Sequence, residues 1–256
     1  MIMSKYKLYI ISVMLLFTLH LSANESAKEY KASLFGVMSD GVTLNTGSIQ
    51  YAIDFISENG GGNLTFYVGR YLTGSFHLKS NVTIELKEGA VLVAFPSIHD
   101  YFEVNGTNAL ILGDSVDNVS IIGKGVIVGS GQGVLKSIKE QNQKGYLEKA
   151  ESKAKPALIN LNECSNVTID GVILRDACGD YQVYTGCNNL KVNNITVENA
   201  TLPNSNGIVL SNGDGFTLSE SYLDVSGKEL LIHGVTNNIS IENTINAKGQ
   251  KVRGGK

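Results

Sequence analysis

The sequence predicts an all-β fold, a solenoid of short parallel strands, and three observations carry that prediction. The first is a repeat. Cys164-Ser165-Asn166-Val167-Thr168-Ile169 returns as Cys187-Asn188-Asn189-Leu190-Lys191-Val192, as Gly213-Asp214-Gly215-Phe216-Thr217-Leu218, and as Thr236-Asn237-Asn238-Ile239-Ser240-Ile241. The apolar anchors Val167, Leu190, Phe216 and Ile239 are spaced 23, 26 and 23 residues apart. A period in the twenties built on alternating strands, with no helix in the unit, is the signature of stacked coils. One coil cannot bury its own inward side chains, but stacked coils pairing at roughly 4.8 Å can. The second observation is the turn residue: Asn118, Asn166, Asn189 and Asn238 each precede an apolar residue, with Gly215 in the same slot of the third copy. Asparagine tolerates left-handed backbone and can bond to its copy in the next coil. The third is composition, with 28 Gly and only 3 Pro in 256 residues, as a turn-rich fold of strands requires.

The elements follow in order. Lys5 and Lys7 precede an apolar run over residues 8–21, and Leu21-Ser22-Ala23 suits cleavage. This reads as a secretory leader over residues 1–23, too short for a membrane span. Residues 24–256 then form one domain, secreted or periplasmic. Residues 30–37 read as a strand and Asp40-Gly41 as a turn. Asn45 or Thr46 can begin a helix running to about Glu58, with Ile49, Ala52, Ile53 and Ile56 on one face. Such a helix would cover the open end of the first coil. Gly60-Gly61-Gly62 ends it, and strands follow at 63–68, 81–86 and 89–94. Residues 132–155 are charged and polar and read as an exposed loop or short helix. Beyond the last coil, Lys248, Lys251, Arg253 and Lys256 make a basic tail, read as solvated or as a patch for a polyanion.

Charge and cysteine content exclude other classes. Without Lys5 and Lys7 the chain holds 19 basic and 24 acidic residues, a balance of −5 that offers nothing to nucleic acid. Three cysteines, Cys164, Cys178 and Cys187, do not make a disulfide framework. Cys164 and Cys187 share a slot in successive coils, as a buried stack or as a disulfide. No cluster has metal-ligand spacing, so neither a metal nor another cofactor is expected.

Phe35-Gly36, Asp40-Gly41, Ile49-Gln50, the triple glycine, Tyr71-Leu72-Thr73-Gly74-Ser75, Leu78-Lys79-Ser80-Asn81-Val82-Thr83 and Ile121-Ile122-Gly123-Lys124-Gly125-Val126-Ile127 together resemble glycoside hydrolase family 28, the polygalacturonases and their relatives. The resemblance implies a right-handed parallel β-helix and inverting hydrolysis of an acidic polysaccharide by paired carboxyl groups. It also implies that later coils of the family are missing here. The family supplies its acids as Asn-x-Asp-Gly, then Asp-Asp, then Gly-His-Gly, then Arg-x-Lys. Here Asn204-Ser205-Asn206-Gly207 puts Asn206 at the first acid, Gly227 and Lys228 fall on the Asp-Asp pair, and Gln250 falls on the histidine. A one-residue shift would place Lys228 and Glu229 on that pair instead. Asn204, Asn206, Lys228 and His233 are the expected substrate contacts.

An amide offers hydrogen bonds but neither an acidic proton nor a base. The sequence therefore predicts a family member that binds pectin-like polysaccharide and is catalytically impaired. One alternative is an active glycosidase using Glu229 or Asp180. The other is an interaction module without a sugar ligand.

Overall fold

The structure is a computed structural model that describes residues 27–147, 155–198 and 202–254; the leader expected over residues 1–23 lies outside them. The chain winds as a right-handed parallel β-helix of three sheets. The first sheet runs from Glu29–Lys31 through Gly62–Phe66, Val82–Leu86, Asp117–Gly123, Ser165–Asp170, Asn188–Asn193 and Asp214–Ser219 to Asn237–Glu242. The second runs from Asp40–Leu44 to Ile245–Asn246. The third holds Phe76–His77, Thr107–Asp114, Ala157–Asn162, Gln182–Thr185, Ile208–Ser211 and Leu230–His233. Phe102–Val104 joins the third sheet as an antiparallel hairpin on Thr107–Asp114.

The repeat read from sequence is the register. Val167 pairs with Leu190, Leu190 with Phe216, and Phe216 with Ile239. Ile169, Val192, Leu218 and Ile241 form a second inward file two residues on. Burying each such side chain is worth about 1.5–3 kcal/mol, so the files hold the coils together. The turn asparagines form a ladder. Asn118 Nδ2 donates to Asn81 Oδ1 at 2.9 Å, Asn166 Nδ2 to Asn118 Oδ1 at 3.0 Å, and Asn189 Nδ2 to Asn166 Oδ1 at 2.7 Å. All four have φ between 51° and 65°, the left-handed region that asparagine accepts. At Gly215 the ladder stops, and Asn238 Nδ2 bonds Asp214 Oδ1 instead, at 2.7 Å.

The helix Thr46–Glu58 buries Ile49, Ala52, Ile53 and Ile56 completely and packs on the first coils. Asn45 does not cap it through its side chain. Its amide instead ties Met38, Thr43 and Leu72 together.

Three expectations need correction. Residues 30–37 are not one strand: Glu29–Lys31 pairs, then Ala32–Phe35 tightens into a 3-10 turn closed by Gly36 at φ 77°. The polar stretch begins with a helix, as one of its two readings had it, Gly131–Gln143, but it is not wholly exposed: Val134 and Ile138 are buried one turn apart. Ser137 Oγ there accepts the Ile98 N–H. The basic tail is not simply solvated. It turns at residues 246–250, Lys251 bridges Ile245 antiparallel, and Val252 is buried with its N–H on Thr244 O. Cys164, Cys178 and Cys187 are free buried thiols, so the stack is present and the disulfide is not.

Candidate active-site column

At the entry to the third sheet the coils already pair before the strands begin. Tyr181 N–H donates to Asn206 O, and Gly207 N–H to Lys228 O. This stacks Asp180, Asn206 and Lys228 one coil apart. The side chains complete the stack. Asp180 Oδ1 accepts both the backbone N–H and the Nδ2 of Asn206, each at 2.9 Å. Asn206 Oδ1 accepts the Lys228 N–H, also at 2.9 Å. The Asn206 carboxamide, at the position where the resemblance expects an acid, is therefore committed at both ends.

Electrostatics single out Asp180. Burial pushes its carboxyl above the usual range, and the two Asn206 donors, His233 and Lys155 offset that only in part. Asp180 is thus a carboxylic acid kept closer to its protonated form, beside the position where the resemblance expects one.

The remaining expected residues are placed as follows. Gly227 N–H donates to Ser205 O, and a Cβ on Gly227 would lie 2.6 Å from Asn206 Oδ1 and 2.8 Å from Ser205 O. That backbone has no room for an aspartate. Lys228 is exposed. Glu229 Oε1 accepts Asn246 Nδ2 at 2.8 Å. Asn246 Oδ1 in turn accepts the Gln250 N–H, so Gln250 sits in the terminal hairpin and not on a further parallel strand. Asn204 is exposed at φ 64°, and His233 is exposed at the end of its strand. Asn206, Lys228 and Asp180 are brought into contact, whereas Gln250 is linked to Glu229 through Asn246. Asp214 belongs to the turn stack through Asn238.

The contact between Asp180 and Asn206 was open to sequence reasoning. Their spacing of 26 is that of Leu190 and Phe216, which pair. Asp176 gave no such signal. Its Oδ2 accepts the Gly131 N–H at 3.1 Å, and burial raises its pKa. Among the described residues no group of three His, Cys, Asp or Glu side chains is placed to hold a metal ion. No helix among them is long and apolar enough to cross a membrane.

Comparison with known proteins agrees with this architecture. The model of glycosyl hydrolases family 28 matches residues 63–252. The exo-poly-α-D-galacturonosidase of Dickeya chrysanthemi is 24% identical over 238 residues, covering 74% of this chain and 39% of that protein. The crystal structure of a Parabacteroides merdae ATCC 43184 protein, assigned as a glycosyl hydrolase, is 45% identical, with a TM-score of 0.84 over 90% of this chain and 100% of that one. The family 28 exopolygalacturonase of Yersinia enterocolitica shares the fold, with a TM-score of 0.78 at 20% identity over 86% of this chain and 49% of its own. The chain thus spans well under half of the Dickeya protein and about half of the Yersinia one, but all of the Parabacteroides structure. With the family model matched from the third described strand to the terminal hairpin, this chain belongs to glycosyl hydrolases family 28.

Proposed function

We propose that this protein is a secreted or periplasmic family 28 member that binds pectin-like acidic polysaccharide and hydrolyses it poorly or not at all. The observation that supports this is the Asn206 carboxamide, tied to Asp180 on one side and to the Lys228 N–H on the other. Inverting hydrolysis needs one carboxylic acid to protonate the leaving oxygen and a second carboxylate to activate water. Each group of that kind contributes about 10²–10⁴-fold. Asn206 supplies neither, and position 227 has no room for the neighbouring acid. A reducing-end assay on polygalacturonate, run beside a binding titration, tests the reading. Binding without turnover is the expected result, and turnover at a rate typical of enzymes overturns it.

One observation favours a second reading. Asp180 touches Asn206, and its pKa is raised by burial, the direction a general acid needs. In that reading the acid has moved one coil back, with Glu229 as a second carboxyl. Turnover that disappears in Asp180→Asn and again in Glu229→Gln would establish it. Neither binding nor turnover would leave an interaction module without a sugar ligand.

A further inference from the structure

A second concave site lies far from the column, between the capping helix and the first strand of the third sheet. It is a cavity of about 360 Å³ lined by Thr46, Gln50, Asp54, His77, Lys79 and Phe102. That volume is at the lower end of the roughly 300–1,000 Å³ usual for small-ligand pockets. Three sheet steps separate His77 from the strand that follows Asp180, the nearest member of the column, or about 14 Å at the usual strand spacing.

The walls are pinned. Gln50 Oε1 accepts the His77 N–H at 2.7 Å, and Gln50 Nε2 donates to His77 O at 3.1 Å and to Asp54 Oδ1 at 3.0 Å. One glutamine thus locks the helix to the strand and orients the Asp54 carboxylate. On the other side, Phe102 is 52% exposed, and its ring stacks on the His77 imidazole with centroids 6.1 Å apart and planes 23° apart. The Phe102 backbone N–H is held by Ser75 Oγ, which itself donates to Ala109 O. A large apolar ring has therefore been fixed at a pocket mouth instead of being buried. Burial and then Lys79 push the His77 pKa down, against Asp114 and Asp54, which favours the neutral imidazole.

An exposed aromatic face, a carboxylate and an ammonium within one small pocket match one kind of ligand. We propose that this pocket binds a single uronate residue of an acidic oligosaccharide, with the C–H face of the sugar on Phe102, hydroxyl groups on Asp54 and the carboxylate on Lys79. The ring supplies apolar contact without needing to rearrange. Lys79 is the group that favours an acid sugar over its neutral counterpart, against the Asp54 carboxylate in the same lining and Asp114 near His77, and salt screens that attraction. The identity of the ligand rests on the polysaccharide reading above, but the site does not involve the column.

The test is a calorimetric titration with trigalacturonate, with galactotriose as the neutral control and polygalacturonate as the polymer, accompanied by NMR observation of the His77 ring. The wild type should bind trigalacturonate more tightly than galactotriose and shift the His77 ring signals. Phe102→Ala should weaken trigalacturonate binding at least tenfold, and Lys79→Gln should weaken it severalfold and flatten its salt dependence. Both residues are exposed, so an unchanged melting temperature checks that the fold is retained. Wild-type binding that both variants leave unchanged overturns the pocket and leaves the polysaccharide reading standing. Binding of galactotriose alone, lost in Phe102→Ala, keeps a sugar pocket but overturns the uronate and with it the acidic-polysaccharide reading. No binding of any of the three overturns both.

Discussion

Two stacks of polar turn residues run along the coils, and they solve the same problem differently. The asparagine ladder at 81, 118, 166 and 189 repeats one group, with each amide donating to the oxygen of the coil before it. The column at 180, 206 and 228 alternates groups: a carboxylate accepts from an amide, whose oxygen accepts from a backbone N–H. An amide carries both donor and acceptor, so it can stack on its own copy without end. A carboxylate carries only acceptors when ionised, so its neighbour in the next coil must donate. With Asp180 in place, Asn206 is the residue that satisfies it. The Asn206 amide is part of a stack, and its donor and acceptor are both in use.

Placing the acid that the resemblance expects at position 206 should therefore destabilise the protein. Asn206→Asp would keep an oxygen for the Lys228 N–H but replace the Nδ2 donor, 2.9 Å from Asp180 Oδ1, with a second carboxylate oxygen. Two carboxylates at hydrogen-bond distance cannot both ionise, and Asp180 Oδ1 would keep only the backbone N–H of residue 206 as a donor. The expected loss is about 2–4 kcal/mol at pH 7. The pair would hold a proton in the native state that the unfolded chain releases, so the loss should shrink as pH falls toward about 4. Urea unfolding at pH 7 and pH 4.5 measures it. A variant as stable as the wild type at pH 7 would break the comparison.

The ladder should respond to side-chain loss without that pH dependence. Asn166→Ala removes the bond to Asn118 and the acceptor for Asn189, and places alanine at φ 53°. The left-handed backbone costs roughly 1–2 kcal/mol and each of the two exposed bonds about 0.5–1, for a loss of about 2–4 kcal/mol. Asn166→Gly should recover the backbone part and not the bonds. Equal unfolding midpoints for the two variants would show that φ contributes nothing there.

These stacks were unequally legible in the sequence. Asn118, Asn166, Asn189 and Asn238 stood out because each precedes a residue of the inward files, and period and side chain agreed. Asp180 and Asn206 shared the same spacing, but the positions between them carry no repeated residue type to signal it. The helix at Gly131–Gln143 was obscured because only Val134 and Ile138 mark its buried face in a polar segment. The strand expected over 30–37 ends early because Gly36 turns the chain, a choice that local alternation does not reveal. The pocket at Phe102 was invisible for a different reason. Gln50, His77 and Phe102 come from a helix, a strand and a hairpin, and only the winding of the chain brings them together.

A smaller effect separates charge from shape in the column. Asp180→Asn keeps the size of the side chain and removes its ionisation. Because its folded pKa lies above the unfolded value, the native state binds the proton more tightly. That contribution is complete below the unfolded pKa and is lost as pH rises through the folded one. The wild type should therefore lose stability across that interval on this group's account, and Asp180→Asn should show no such segment. Unfolding free energies taken from pH 3.5 to 7 would show it, and parallel curves for the two proteins would place the titration elsewhere.

The smallest effect tests whether the ladder can be extended. Gly215 breaks it at φ 71°, between Asn189 and Asn238. A Cβ built there meets only Asn189 N at 3.5 Å and Asn189 Cα at 3.6 Å, which is ordinary contact. Asparagine tolerates this backbone, and replacing glycine lowers the entropy of the unfolded chain. Gly215→Asn would gain one bond, from its Nδ2 to Asn189 Oδ1. It would gain little above, because Asn238 is already held by Asp214. The expected stabilisation is about 0.5–1 kcal/mol, read as a small rise in melting temperature. Gly215→Ala is the control: it has the same space and lacks the amide, so it should instead lose about 1 kcal/mol to the left-handed backbone. If both variants destabilised equally, the amide bonds seen from Asn81 to Asn189 would be passengers on a backbone that already prefers this turn, and a side-chain bond would decide which residue the coil accepts in the column at Asn206 but not in the ladder.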